Sequence, residues 1–378
     1  MSKSIHFTGQ PVLRQVLKAI PRSLVNEVAR AHQSDRYVKR FSTFDHLVTM
    51  LYATLGGFSS LRTLEIHMTA SLHRLAHLGL SDRPRRSTIS DSNRKRSSAV
   101  FGDLYHRLWK RLAPDLRSSA YFKGLAPSIA KMLTVLDATT ISLFSDIFEG
   151  AGRMPIKGSR KGGVKVHTAM NADAGVPSLL CITDAKVHDR YFWTCLQLEP
   201  GSYVAMDRGF QDYKQFAQLH AQGIYIITRL KTSNVYQVIE EHPVSEEEAQ
   251  QGICAHQTVI LKKPKDLDDQ LEWPAMRRMV VQDPGKKPIA LLTNCPDDGT
   301  HDVLQIANIY RHRWQIETMF KRLKQYFPLT YFLGQSRNAI EIQIWCTFIG
   351  LLLMEWIRAV GGHRHRAFSH MVSLVRAC

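Results

Sequence analysis

The sequence predicts an α/β protein: a mixed-sheet core with a β-rich insertion, preceded by a basic helical domain. Three observations carry that reading. Apolar residues recur at helical spacing through the first third of the chain. From about residue 128, short apolar strand-like runs alternate with helical ones, the rhythm of strands joined by crossover helices. Over residues 235–300 that rhythm stops, and an acidic stretch with alternating strand-like pieces takes its place. The expected divisions are 1–125, 126–234, 235–300 and 301–378.

The helical front opens on Phe44, Leu47, Val48, Leu51, Tyr52 and Leu55, one apolar face of a helix. Gly56-Gly57 breaks it, and a second helix follows through Leu61, Leu64 and Ile66. A third runs through Phe101, Leu104, Leu108 and Leu112. Between the last two lies Arg83 to Arg96, with six basic residues among Ser, Thr and Asn. Such a segment can bind phosphates through Arg94, Lys95 and Arg96 while a helix reads bases; a solvated basic helix is the plainer alternative.

Charge supports a polyanionic partner. The 378 residues are 44% hydrophobic and 22% charged, the composition of a globular chain. Yet 50 Lys+Arg stand against 33 Asp+Glu, a net charge of +17 with a pI near 9.7. Residues 1–125 hold 21 basic and 8 acidic residues, so +13 of that excess sits in the front domain. Nucleic acid is the simplest partner, and the front third reads as a DNA-binding domain. The first ten residues lack the apolar run of a signal peptide. The apolar run Ile344–Met354 is shorter than the ~20 residues of a membrane span and reads as a buried helix. The six cysteines form no Cys-x-x-Cys pair, which argues against a zinc ribbon or a disulfide scaffold. A cytoplasmic chain without membrane contact is the expectation.

In the core, Met132–Leu136 is strand-like and ends at Asp137. Val164–Met170 alternates as a second strand, and Pro177–Thr183 is a third after an Asn-Ala-Asp-Ala-Gly turn. His188–Leu196 reads as a helix, with His188-Asp189 as its cap. Tyr203–Met206 is a fourth strand ending at Asp207, Tyr213–His220 a helix, and Ile224–Thr228 a fifth strand. Reactive groups of open α/β sheets sit at the carboxyl ends of strands, although a lone Asp there is more often a turn former.

The helix expected over residues 302–326 changes the weighing. At ~100° per residue, Tyr310, Arg313, Glu317 and Lys324 fall within an arc of roughly 60°. Ile309, Ile316, Met319, Phe320 and Leu323 fill the adjoining apolar arc. One face therefore packs while a polar stripe with a carboxylate borders it. Asp137, Asp207 and Glu317 then form a candidate triad of hard oxygen ligands for Mg²⁺ or Mn²⁺. Two such ions suit in-line phosphoryl displacement. Arg313 and Lys324 suit phosphates, and Tyr310 a phosphate or a displaced base.

These residues bring a resemblance. Tyr310-x2-Arg313-x3-Glu317-x6-Lys324 resembles the Tyr-Arg-Glu-Lys signature of the bacterial insertion sequence family 4 transposases. Neighbouring words are similar too: Leu136-Asp137-Ala-Thr-Thr, Lys157-Gly-Ser-Arg-Lys-Gly-Gly-Val-Lys165-Val-His167, Val187-His188-Asp189, Met206-Asp207-Arg-Gly-Phe, Thr228-Arg229-Leu-Lys231 and Leu292-Thr293-Asn294. The similarity runs from about residue 130 to 350. It implies a ribonuclease-H-like core, with Asp137, Asp207 and Glu317 as the catalytic, metal-binding triad for two Mg²⁺ or Mn²⁺ ions. It makes Tyr310, Arg313 and Lys324 contacts to DNA. It implies cut-and-paste transposition with a hairpin intermediate, terminal inverted repeats and target DNA as partners, a homodimer in the paired-end complex, and a bacterial, nucleoid-associated setting.

Other residues follow from position. Lys165 and His167 share one face of a strand beside Asp137, where DNA contact or solvent is the choice. Arg208, next to Asp207, and Arg229 and Lys231, at a strand end, are expected to reach DNA. Trp273 reads as a packing residue, with stacking on a flipped base as the alternative, and Trp314, off the polar stripe, reads as packing. A metal-dependent nuclease without strand transfer and a non-catalytic repressor are the alternative functions.

Overall fold

The computed structural model describes residues 12–71, 75–80, 82–117, 125–143, 154–156, 159–161, 163–265, 270–362 and 367–377. Met1–Gln10, Lys157 of the glycine-rich motif and Cys378 lie outside the described residues.

Among the described residues, nine strands form one mixed sheet. They are β1 (Leu133–Ser142), β4 (Gly163–Asn171), β5 (Pro177–Asp184), β6 (Tyr203–Met206), β7 (Tyr225–Arg229), β8 (Tyr236–His242), β9 (Ile253–Leu261), β10 (Met276–Val281) and β11 (Ile289–Thr293). β2 (Met154–Ile156) and β3 (Ser159–Lys161) make a separate hairpin. The sheet order is β5-β4-β1-β6-β7-β11-β10-β9-β8. β1, β4 and β5 are antiparallel neighbours, whereas β6 and β7 run parallel to β1. An antiparallel trio followed by parallel strands is the ribonuclease-H-like layout. The insertion continues the sheet: β11 pairs antiparallel with β7, and β10, β9 and β8 follow it outward. β8 is polar and exposed along most of its length because it is the edge strand. The expected helix after His188 is a 3₁₀ helix, Asp189–Cys195.

Each face of the sheet has its own apolar layer. Leu133, Val135, Ala205 and Ile227 join the larger one, while Leu136, Val204, Met206 and Phe192 join the other. The alternation follows from the two-residue period of a strand.

Among the described residues, the α-helices that lead into the sheet are α1 (Val12–Leu17), α2 (Arg22–Ala31), α3 (Thr43–Gly56), α4 (Leu61–Ala70), α5 (Arg86–Lys95), α6 (Ala99–Leu116) and α7 (Pro127–Met132). A capping box between Ser42 and Asp45 starts α3, and Gly57 ends it at φ 75°. After β6 comes α8 (Tyr213–Ala221), and in the insertion a short α9 (Glu246–Gln250). Then follow α10 (Val303–His312), α11 (Trp314–Tyr326), α12 (Arg337–Val360) and α13 (Phe368–Ala377). α12 is long and apolar enough to cross a membrane, but 83% of its most apolar window is buried against other parts of the chain. It packs on α3 and α6, so the front helices and the C-terminal helices share one hydrophobic cluster.

The helix expected over 302–326 is two helices meeting at Arg313. The amide of Arg313 donates to Tyr310 O, and that of Ile316 to Arg313 O. These tighter i→i+3 bonds divide the helix while keeping Arg313 in helical φ/ψ.

Arg96 is a second correction. It was expected at DNA, but it is 6% exposed. Its guanidinium donates to Asp35 Oδ1 and Phe41 O at 3.1 Å each, and to His46 Nδ1 at 3.0 Å. Nε2 of His46 therefore carries its proton and donates to Asn93 Oδ1 at 2.8 Å. Burial first, and the Arg96 charge second, push His46 down from 6.5 to about 3. The folded chain binds fewer protons here than the unfolded chain between those two values. Stability from this site is complete above pH 6.5 and falls by up to about 1.4 kcal/mol per unit as the pH drops. Urea midpoints measured from pH 7 to pH 4.5 should fall steeply, and His46→Gln, though weaker at pH 7, should show a flatter decline.

Candidate active site

The parity of the sheet brings two acids together. Asp137 follows Val135 on β1, and Asp207 follows Ala205 on β6, so both project to the face covered by the C-terminal helices. Glu317 comes to the same place from the first turn of α11. Arg313 ties the group: its Nη1 lies 3.4 Å from Asp137 Oδ2, and its Nη2 lies 2.6 Å from Glu317 Oε1. Arg313 is 7% exposed and Tyr310 5% exposed. The guanidinium lies over the Tyr310 ring at 5.5 Å and over the Trp314 ring at 5.8 Å.

The electrostatics record the crowding. Burial is the main cause that raises the Asp137 carboxyl from 3.8 to about 6; the charges of Glu317 and Asp207 add to the rise, against Arg313 and the Ala138 amide. Burial raises the Tyr310 phenol, with Arg313 opposing and Asp207 reinforcing the shift. The acidic partners raise Arg313 against its own burial. Asp137 thus lies within electrostatic reach of both Glu317 and Asp207, and the Arg313 guanidinium stands between Asp137 and Glu317.

The remaining expected contacts divide. Arg208 is exposed beside Asp207, and Lys324 is exposed in the last turn of α11. Lys231 is lowered by burial first, then by Arg190 and Arg208, which places it in the same cationic surround of Asp207. Arg229 projects to the acidic face and lines a cavity of about 230 Å³ with Tyr310 and Arg313. Arg94 and Lys95 are exposed on α5, where Arg94 pairs with Asp91 at 3.3 Å.

Lys165 and His167 are corrections. Their ladder partners are Thr140 and Ala138, whereas Asp137 pairs with Thr168. Side chains alternate along a strand, so both lie behind the sheet from the acids. His167 is 0% exposed and bonds Thr183 at 2.9 Å. Lys165 bonds Val187 O at 2.8 Å and Asp189 at 3.0 Å. Neither can meet DNA at the acidic face.

The tryptophans separate as well. Trp273 packs edge-on against Tyr213, and its indole N–H donates to Leu261 O, as a packing residue does. Trp314 does not: it is 55% exposed and lines the cavity. Three cations there escaped the sequence reading. Lys286 and Lys287 come from the β10–β11 turn, and Arg311 lies one residue past Tyr310. A basic turn in an otherwise acidic insertion was the available signal. His188 caps the 3₁₀ helix as expected, its Nδ1 accepting from the Arg190 amide.

Comparison with known proteins gives the family. A model described as Transposase DDE domain matches residues 130–353, and one described as Domain of unknown function (DUF4372) matches residues 8–81. The putative transposase y4zB of Sinorhizobium fredii is 27% identical over 72% of this chain and 71% of its own length. A putative transposase for insertion sequence element IS4SA of Synechocystis is 26% identical, covering 71% of this chain and 70% of its own. The transposase for insertion sequence element IS231F of Bacillus thuringiensis is 21% identical over 93% and 81%. A chain from a piggyBac transposase synaptic complex with hairpin DNA aligns at TM-score 0.47 and 9% identity over 97% of this chain and 79% of its own. With the DDE domain matched over more than half of its length, the chain belongs to the DDE transposases of insertion sequence family 4 and is a DNA transposase.

Proposed function

We propose that Asp137, Asp207 and Glu317 are the catalytic carboxylates and that they hold two divalent ions, Mg²⁺ or Mn²⁺, for cleavage and joining of transposon ends. The family is divalent-metal dependent. The observation that carries the assignment is the convergence itself: Asp137, driven up to about 6, feels both other acids, and Arg313 bridges it to Glu317. An all-oxygen donor set with a cation already lodged in it fits hard divalent ions. Ions bound there supply Lewis acidity at the scissile phosphate.

The chain's own groups do the rest. Asp137 sits on β1 and Asp207 directly follows β6, the parallel neighbour of β1; Glu317 closes the site from α11. Arg313, over the Tyr310 ring, is placed to turn from carboxylate to phosphate once the acids are neutralised. Arg208, Arg229, Lys231 and Lys324 form a cationic rim for the strand, joined by Arg311, Lys286 and Lys287 around the cavity. Water first cuts a phosphodiester and frees a 3′ hydroxyl; that hydroxyl attacks the opposite strand, forming a hairpin and releasing the flanking DNA with a 3′ hydroxyl. A second water opens the hairpin and restores the 3′ hydroxyl, which then attacks target DNA and releases a target 3′ hydroxyl. Cutting both ends in concert calls for a homodimer on paired inverted repeats. Action on DNA in a bacterial cytoplasm, at the nucleoid, completes the reading.

Pre-cut end DNA, a supercoiled target plasmid and Mg²⁺ test it. Joined products are expected; cleavage without joining would make the protein a nuclease, and end binding without cleavage a repressor. Arg94→Ala with Lys95→Ala should weaken end binding and reduce the slope of log K against log salt by up to about 2. Equal slopes would remove α5 from the DNA grip.

A further inference from the structure

Lys165, His167 and Asp189 belong to sequence words that the acidic face leaves unused. Behind the sheet they meet. Asp189 opens the 3₁₀ helix Asp189–Cys195, and its Oδ1 takes the Lys165 ammonium at 3.0 Å. Lys165 is anchored again on Val187 O and is 14% exposed. The His167 ring stacks on Phe192 of the same helix at 5.7 Å, with its Nδ1 3.7 Å from Asp189. The helix is thus fastened to β4, the neighbour of the strand that carries Asp137.

Its other side grips the turn that carries Asp207. That turn is a 3₁₀ helix, Arg208–Phe210, with Asp207 at its N-cap. A Cβ on Gly209 would stand 2.7 Å from Asp189 Oδ2, so only glycine admits this approach. The Trp193 indole donates to Phe210 O at 2.9 Å, and Phe192 meets Phe210 edge-on. Arg190 reaches Asp212 at 3.8 Å. A continuous path therefore runs from Asp137 through β4, Lys165, Asp189 and Gly209 to Asp207.

We propose that Asp189, held by Lys165, is a positioning residue that sets the place of Asp207 relative to Asp137. The proposal rests on Asp207 being an ion-holding carboxylate. The ion pair fixes where Asp189 stands, Asp189 fixes how deep the Gly209 turn can settle, and that depth fixes the Asp207 carboxylate. Lys165 thereby serves the acidic site from the opposite face of the sheet.

The test uses the full chain and two readouts: the rise in unfolding temperature on adding Mg²⁺ or Mn²⁺ without DNA, and the Mg²⁺ dependence of nicking of a plasmid carrying the coding segment with its native flanks. Asp189→Asn and Lys165→Met should raise the half-saturating ion concentration about 10- to 100-fold and shrink the ion-induced thermal shift, with part of the rate returning at high Mg²⁺. Lys165→Arg, which can still pair with Asp189, should stay near wild type. Gly209→Ala, which leaves the ion pair intact but presses on the turn, should mimic Asp189→Asn. An Asp189→Asn protein that is less stable yet keeps the wild-type ion response would overturn the proposal and leave Asp189 a structural residue. Asp207→Ala separates the two readings: if it keeps the wild-type ion response, the assignment of Asp207 itself fails.

Discussion

Asp137→Asn will lose roughly 10³-fold or more of end cleavage and will be harder to unfold in EDTA than the wild type. Both effects come from one carboxylate. Its loss removes an anionic oxygen from the site where transition-state charge is balanced, a term commonly worth that much. The same carboxylate is a burden when the protein stands alone: it is largely buried, and two like charges act on it. Asparagine keeps the shape without the charge, so a gain of about 1–3 kcal/mol is expected. The check is paired: cleavage in Mg²⁺, and thermal unfolding in EDTA at pH 8. A variant that cleaves normally removes Asp137 from the chemistry; one that is inactive but also unstable would place it among framework residues.

Arg313→Met will be the most destabilising change in the site, and the loss will depend on divalent ions. Arg313 is the one guanidinium among the described residues that contacts both Asp137 and Glu317. Removing one partner of a buried ion pair typically costs about 3–5 kcal/mol, because the other charge stays behind. In EDTA, Asp137 and Glu317 would face each other bare. In Mg²⁺ the ions take over part of that neutralisation, so the gap between variant and wild type should narrow. Arg313→Lys should fall between, since a single ammonium cannot span two carboxylates as a planar fork does. Equal losses in EDTA and Mg²⁺ would mean that Arg313 matters to packing alone.

Much of this centre was legible in the chain because local rules place it. An apolar run ending in Asp picked out Asp137 and Asp207, but only Asp207 follows a strand end: β1 runs on to Ser142 through its pairing with β4, so Asp137 lies mid-strand. Helical phase put Tyr310, Arg313, Glu317 and Lys324 on one stripe, and the break at Arg313 left that stripe usable. What was not legible depends on partners far away in sequence. Arg96 looks like its neighbours Arg94 and Lys95 until Asp35, Phe41 and His46 close over it. Lys165 and His167 lie near Asp137 in the ladder, but their face is decided by register, and a shift of one residue inverts it. β8 carries little apolar pattern because it is an outer strand, so only pairing with β9 reveals it. Trp314 reads as a packing residue because it lies off the polar stripe, yet it stands on the rim of a cationic cavity.

α12 has a last consequence. Its apolar flank is the common floor under α3 and α6 on one side and under α13 on the other. Among the described residues, the front helices and the C-terminal helices therefore rest on one shared apolar floor. A front third expressed by itself would lose the surface it rests on.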